Sequence, residues 1–332
     1  MIFNLQSRNC ASAAWLSALC GVVFASAGLP AAAQPAYPSK VIRFLVGAPP
    51  GGSNDIFARV IGPRLNEALG QPVIVENRAG ASQMIAADLM AKSPPDGHTI
   101  YISSSTYTTT VAVQPKQPFD PVNDVTGIIM LGKGPMVLVV HPALPARSVK
   151  DLISIARAKP NQLNYTSSGT GGINHLGMEV FNYAAKISMV HVPHKGMGPA
   201  ITDLMAGQVQ VLLVSLPSVQ SQMNSGRLRA LGVSSPKRSA FTPGLPAIAE
   251  TVPGYDNELW WGVFAPAKTP KAVVDRLNSE IRKILAAEDM KKRFADFGAE
   301  PTPSTPEAFT ALVKSEIAKW SKVVKDAKIQ PE

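Results

Sequence analysis

The period of the apolar positions changes along this chain, and the changes mark its elements. Residues 41–46 (VIRFLV) read as a short β-strand. After a loop, Ile56, Phe57, Val60, Ile61, Leu65 and Leu69 recur three and four residues apart, which predicts an amphipathic helix closed by Gly70. The pattern next predicts a strand at 73–76, a helix at 81–91, a turn at Pro94-Pro95-Asp96-Gly97 and a strand at 99–103. Strands at 137–140, 163–165, 190–193, 209–214 and 228–233 are interleaved with helices at 150–158, 173–184 and 200–205. The end differs, with two long amphipathic helices at 270–287 and 306–327 and no strand between them. Strand and helix in alternation predict an α/β fold of parallel sheet covered by helices on both faces.

The N-terminal stretch breaks this rhythm. Residues 11–33 carry no charge, Arg8 precedes them, and they end in Pro30-Ala31-Ala32-Ala33. A basic start, an apolar run and a small-residue exit describe a cleavable secretory signal peptide over residues 1–33. Pro30 and the alanines argue against an uncleaved anchor, and Leu19 before Cys20 argues against lipidation. Both cysteines, Cys10 and Cys20, fall inside this segment. The mature chain is therefore expected to lack a disulfide, a cysteine metal site and a cysteine nucleophile.

The whole chain has 332 residues, 45% of them hydrophobic, which suits a globular protein with room for two domains. Its formal net charge is +9, one less without Arg8. The basic residues are dispersed, with Lys237-Arg238 and Lys291-Lys292-Arg293 the densest groups and no basic stripe interleaved with aromatics. That excludes nucleic acid as the expected partner and favours a small anion.

Four strand-to-helix loops are rich in Gly, Ser and Thr: GAPPGGSND (47–55), SSSTYTTT (103–110), SSGTGGINH (167–175) and HKGMGPA (194–200). In parallel α/β sheets such loops gather at the carboxyl edge of the strands, where ligands bind. Each leads into a helix N-terminus, whose free N–H groups and dipole favour an anion. Any one of them could be an ordinary capped turn; four together point to a site. Asp55 fits such a site poorly, because a carboxylate in a first turn repels an anion. It either organises the Gly51–Asn54 loop or meets a ligand amine or a water. Lys195 either neutralises an anion or is a solvated loop lysine, and Trp260 and Trp261 read as core.

Other chemistries lack their spacing. No G-x-x-x-x-G-K-[ST] phosphate loop is present, and the G-x-G begun by Gly169 and Gly171 meets Asn174 where its third glycine belongs. There is no G-x-S-x-G elbow, and nothing in the spacing of Ser168, His175 and Asp203 demands a triad. His175 reads as a ligand-facing or capping residue. His191 and His194, separated by Pro193 and without a carboxylate cluster, read as structural rather than metal-binding.

The segments YPSKVIRFLVGAPPGGSNDIFAR, LGQPVIVENRAGA, PDGHTIYISSS, LNYTSSGTGGINHLGMEVF, VHVPHKGMGPAITDLMAGQVQV and GRLRALGVSSPKRS resemble, in order and over about residues 37–328, the extracytoplasmic solute receptors of tripartite tricarboxylate transporters, the Bug or TctC-type proteins. The resemblance implies an α/β, two-lobe periplasmic binding protein of the type II-like class, with the ligand in a cleft between lobes joined by crossover strands. Residues 38–138 and 255–332 would form one lobe and 139–254 the other. By the same resemblance Gly51, Gly52 and Asp55 match the family's first loop, Ser104 the second, Ser167, Ser168, Gly169 and His175 the third, and Lys195-Gly196 the fourth. Their neighbours Ser53, Asn54, Ser105, Thr170 and His194 complete the candidate ligand set. Ser53 and Asn54 stand where the family often has glycine and threonine, Ala48 where it commonly has Phe, His194 where it has Tyr, and Gln210 where it has Asp. The first two and His194 are candidates for selecting an unusual ligand.

The expected function is therefore a periplasmic receptor, a monomer without cofactor or metal, that closes on a small carboxylate and delivers it to inner-membrane transporter subunits. A receptor presenting the ligand to the periplasmic domain of a sensor kinase is a competing reading, as is a cleft hydrolase.

Overall fold

Short β-branched runs become strands and the three-to-four spacing becomes helices in the computed structural model, which describes residues 37–326 and residue 329. The expected signal peptide, residues 1–33, lies outside the described residues. The first elements are β1 (Ile42–Val46), α1 (Ser53–Leu69), β2 (Val73–Asn77), a 3-10 turn (Ala81–Gln83), α2 (Met84–Ala91), β3 (Thr99–Ser104) and α3 (Thr106–Val113). Then come β4 (Val125–Val140), α4 (Val149–Ala158), β5 (Asn164–Ser167), α5 (Ile173–Ala185), β6 (Val190–Pro193), α6 (Met197–Met205), β7 (Val211–Ser215), α7 (Leu216–Asn224) and β8 (Arg229–Val233). A second 3-10 turn (Ile248–Glu250), β9 (Glu258–Pro266), α8 (Lys271–Ala286), α9 (Glu288–Asp296), β10 (Glu300–Pro301) and α10 (Pro306–Asp326) complete the order.

The sheet runs β2-β1-β3-β9-β4-β7-β5-β6, with β10 and β8 also paired to β4. β1 is parallel to β2 and β3, and β5 is parallel to β6 and β7. The wholly parallel sheet expected from the alternation is corrected by the middle strands. β9 is antiparallel to β3 and β4, and β4 is antiparallel to β7 and β8. β4 is long enough to serve two neighbourhoods: up to Pro135 it pairs with β9, and from Met136 onward with β7 and β8. Gly127, Gly132, Gly134 and Pro135 interrupt its apolar pattern, so only its last residues are legible as a strand.

Two further expectations are corrected. The helix placed at 81–91 begins only at Met84, because residues 81–83 turn through left-handed backbone. The C-terminal helices are separated by α9 and β10, and β10 joins the edge of β4. In α9 only Met290 and Phe294 are buried, too few to announce a helix by period.

The core fixes the orientation of the elements that reach the sheet edge. α1 turns Phe57, Ala58, Ile61 and Leu65 inward, all fully buried. The Phe57 ring lies 4.6 Å from Trp261 on β9 and 4.6 Å from Phe294 on α9. Burying such a ring contributes about 1.5–3 kcal/mol, and each well-placed aromatic pair about 0.5–1.5 kcal/mol more. Those contacts pin the N-terminal part of α1 beside the first half of β9.

Candidate functional site

Helices α1, α3, α5, α6 and α7 each start where β1, β3, β5, β6 and β7 end, and residues at all five starts border one cavity of about 290 Å³. A helix leaves its first N–H groups without intrahelical partners. The N-cap residues here are Gly52, Ser105, Gly172, Gly196 and Ser215, and none of them closes its helix with a side-chain hydrogen bond. On α4, away from the cavity, Ser148 does so, its Oγ accepting from Asp151 N at 3.1 Å. Among the described residues of the lining, Lys195 is the charged side chain and no carboxylate is present. Five helix dipoles, one lysine and a ring of hydroxyls and amides make a site suited to an anion.

Ten of the fifteen candidates border this cavity: Gly52, Ser53, Asn54, Ser104, Ser168, Gly169, Thr170, His194, Lys195 and Gly196. Ser53 accepts from the buried Trp261 indole Nε1 at 2.9 Å, which ties the first loop to β9. Ser168 Oγ donates to Asn174 Oδ1 at 3.1 Å. The walls also touch each other. Ser82 Oγ donates to the Thr170 carbonyl at 2.7 Å. At Gly196, with φ +121°, an added Cβ would stand 2.4 Å from the Pro49 ring, so only glycine admits that approach.

The other five, Gly51, Asp55, Ser105, Ser167 and His175, do not border the cavity and make contacts within and beneath its loops. Asp55 is buried and faces its own loop: Oδ2 accepts from Gly51 N at 3.0 Å, and Oδ1 from Arg59 Nε and Asn77 Nδ2, both at 2.9 Å. Asn77 Nδ2 also donates to the Ala48 carbonyl at 2.9 Å, so the carboxylate organises residues 48–55. Burial pushes its carboxyl up, but the bonds from Arg59, Asn77 and Gly51 outweigh burial and hold it below the usual carboxylate range. Gly51 is an exposed donor to Asp55. Ser105 Oγ accepts from Trp260 N at 3.0 Å, joining the start of α3 to β9.

Ser167 and His175 support the third loop from beneath. Ser167 Oγ bonds Gly169 and meets His191 Nε2 at 2.7 Å. His175 Nδ1 accepts from Gly171 N at 3.2 Å, and its ring stacks on His191 with centroids 4.0 Å apart. Ser168, His175 and Asp203 do not assemble as a triad, since Asp203 Oδ2 instead meets His194 Nε2 at 2.7 Å. His194 Nδ1 is held by Thr166 Oγ1 at 2.7 Å, so the ring is fixed at both nitrogens. No group of three or more His, Cys, Asp or Glu among the described residues is placed to hold a metal ion.

The lining also contains residues that the loop pattern does not single out. Ser82 and Gln83 come from the turn after β2, Gln114 from the end of α3, and Ser215 and Ser218 from the start of α7. The run Ser215-Leu-Pro-Ser218 does carry a helix-start signal, serine followed by proline in the first turn. Gln114 carries none, because it reaches the cavity from a helix C-terminus.

Comparison with known proteins agrees with this arrangement. The profile of the tripartite tricarboxylate transporter family receptor matches residues 57–329. Protein BugT of Bordetella pertussis is 36% identical over 315 residues, covering 94% of this chain and 97% of its own. The solved structure of Rpa4515 from R. palustris with adipate superposes with a TM-score of 0.86 at 36% identity, covering 89% of this chain and 100% of the other. MatC from Rhodopseudomonas palustris with bound malate gives a TM-score of 0.82 at 29% identity, covering 87% and 100%. With an α/β fold shared along almost the whole described length and the family profile matched over most of it, this chain belongs to the tripartite tricarboxylate transporter receptor family.

Proposed function

We propose that this protein is a periplasmic solute receptor that captures a small carboxylate in the cavity and delivers it to a tripartite tricarboxylate-type membrane transporter, without breaking or forming bonds in it. The observation that carries the reading is the convergence of five helix N-termini on a lining that, among the described residues, contains a lysine and no carboxylate. About 290 Å³ holds roughly ten water-sized atoms, the size of a short dicarboxylate. Adipate and malate, named with two of the similar structures, are of this class and size. Backbone N–H groups, the Ser and Thr hydroxyls and Lys195 would hold the carboxylate oxygens.

Capture would proceed by hinge closure between residues 38–138 with 255–332 and residues 139–254. Two features support that division: the change of partners along β4 after Pro135, and the contacts of Ser82 with Thr170 and Pro49 with Gly196 across the cavity. A ligand touching both walls stabilises the closed form by its differential affinity for it. Calorimetry against small mono-, di- and tricarboxylates is expected to find at least one sub-millimolar ligand that is recovered chemically unaltered. Silence across the panel, or turnover of the ligand, refutes the reading.

A further inference from the structure

The turn between β2 and α2 contains the least common backbone of the cavity wall. Ala81, Ser82 and Gln83 have φ of +44°, +47° and +79°, three successive non-glycine residues in the left-handed region. Such conformations persist only where surrounding contacts hold them, and they gather at functional sites. Here Ser82 Oγ is engaged by the Thr170 carbonyl, Gln83 N donates to the Gly80 carbonyl at 2.9 Å, and the Tyr101 hydroxyl donates to the Gln83 carbonyl at 3.2 Å.

The result is to set the Gln83 side chain into the cavity wall in one orientation. Its Oε1 accepts from Asn54 Nδ2 at 2.7 Å and from Ser103 Oγ at 3.0 Å. Asn54 gives its amide hydrogen to this clamp although its own Oδ1 is buried without a partner, so the clamp is made against a cost. An amide held by its oxygen has only its NH2 left to offer. Nε2 takes no protein acceptor among the described residues, and it can only donate.

We propose that Gln83 is a specificity-determining residue of the cavity: its clamped amide offers the ligand an N–H donor and no acceptor, so the cavity takes carboxylates and rejects their α-amino counterparts. This rests on the carboxylate-receptor reading above. A protonated amine carried into the cavity would be desolvated with no counter-charge. Both oxygens of Asp55 are engaged within its loop, Asp203 is engaged by His194, and Lys195 adds a repulsive charge to the lining.

The test is titration calorimetry of the intact protein at neutral pH with matched pairs: succinate and aspartate, glutarate and glutamate, adipate and 2-aminoadipate. In the wild type, the amine-free member of any pair that binds should be favoured by about a hundredfold, the scale of an uncompensated buried charge. Gln83→Met keeps the length and removes the donor, and should weaken the carboxylate about tenfold; because Asn54 and Ser103 also lose their shared acceptor, the melting temperature should fall by a few degrees while the protein stays folded. Gln83→Glu turns a carboxylate oxygen to the cavity and should shrink or invert the preference. Equal wild-type affinity for both members, or full carboxylate affinity in Gln83→Met, overturns the proposal even if Gln83→Glu fails to fold. A preference left intact in a folded Gln83→Glu overturns it as well. Tolerance of the amine refutes this inference alone, whereas silence toward every carboxylate refutes the receptor reading and this inference with it.

Discussion

Replacing Asp55 by Asn separates two roles of opposite sign. If the carboxylate faced an anionic ligand, neutralising it would strengthen binding. If it organises the first loop, neutralising it weakens both loop and binding. Asp55 accepts three hydrogen bonds, from Gly51 N, Arg59 Nε and Asn77 Nδ2. An asparagine can keep its oxygen toward Arg59 and Asn77, but its NH2 then opposes the Gly51 N–H. A hydrogen bond to a charged group contributes about 1.5–3 kcal/mol, and the two retained bonds lose their charge assistance. The expected loss is about 2–3 kcal/mol. For the 299 residues left without the expected signal segment (332 − 33), whose unfolding entropy is about 0.6 kcal/mol/K, that lowers Tm by about 3–5 °C. Scanning calorimetry and titration with the best carboxylate found should show this drop together with about tenfold weaker binding. Because the folded carboxyl lies below its unfolded value of about 4, Asp55 contributes its full stability above that pH and loses it as pH falls through the lower folded value. The difference between variant and wild type should therefore be greatest at neutral pH and shrink on acidification below about pH 4. Tighter binding in Asp55→Asn, or an unchanged Tm at neutral pH, would show that the carboxylate is not the anchor of this loop.

Ser168→Ala removes a half-buried hydroxyl of the lining and its bond to Asn174; binding should weaken about five- to tenfold by calorimetry, with a loss of about 1 kcal/mol in stability, and unchanged affinity would remove this hydroxyl from the site. A Cβ at Gly52 would meet Ala48 Cβ at 3.6 Å and the Pro49 carbonyl at 3.7 Å, both ordinary contacts. Gly52→Leu is thus expected to keep its circular dichroism while its side chain fills the cavity and abolishes binding; a folded variant that still binds contradicts the placement. Trp261→Phe loses the 2.9 Å bond to Ser53 and part of the buried ring packed on Phe57, and should cost about 2 kcal/mol or more in chemical denaturation together with a measurable loss of affinity; affinity equal to wild type would show that the Ser53 bond contributes nothing to the site.

Local signals were enough to read much of this protein. The apolar runs at 41–46 and 99–103 and the helical period after Gly52 reflect burial against immediate neighbours, and with the half-exposed edge run at 73–76 they became β1, β3, α1 and β2. The Gly-, Ser- and Thr-rich loops were legible for the same reason, since a strand end and a helix start lie next to each other in sequence. The ten candidates now on the lining all come from these loops. Order along the sheet was not legible, because β9 enters between β3 and β4 through pairing that no local period encodes.

The sequence by itself thus determined the strand–helix rhythm, the anion-favouring loops and the family resemblance, all of which rest on residues close together in the chain. Tertiary structure alone decided what each polar group faces. Asp55, for which local sequence left a loop role and a ligand role both open, faces its own loop because Asn77, 22 residues further along, brings its amide to it. Gln83 entered the wall because Asn54 and Ser103, from two other elements, hold its oxygen. The physical reason is common to both cases: a side chain's hydrogen-bond partners are set by which elements the core packs side by side, and local sequence does not contain that information.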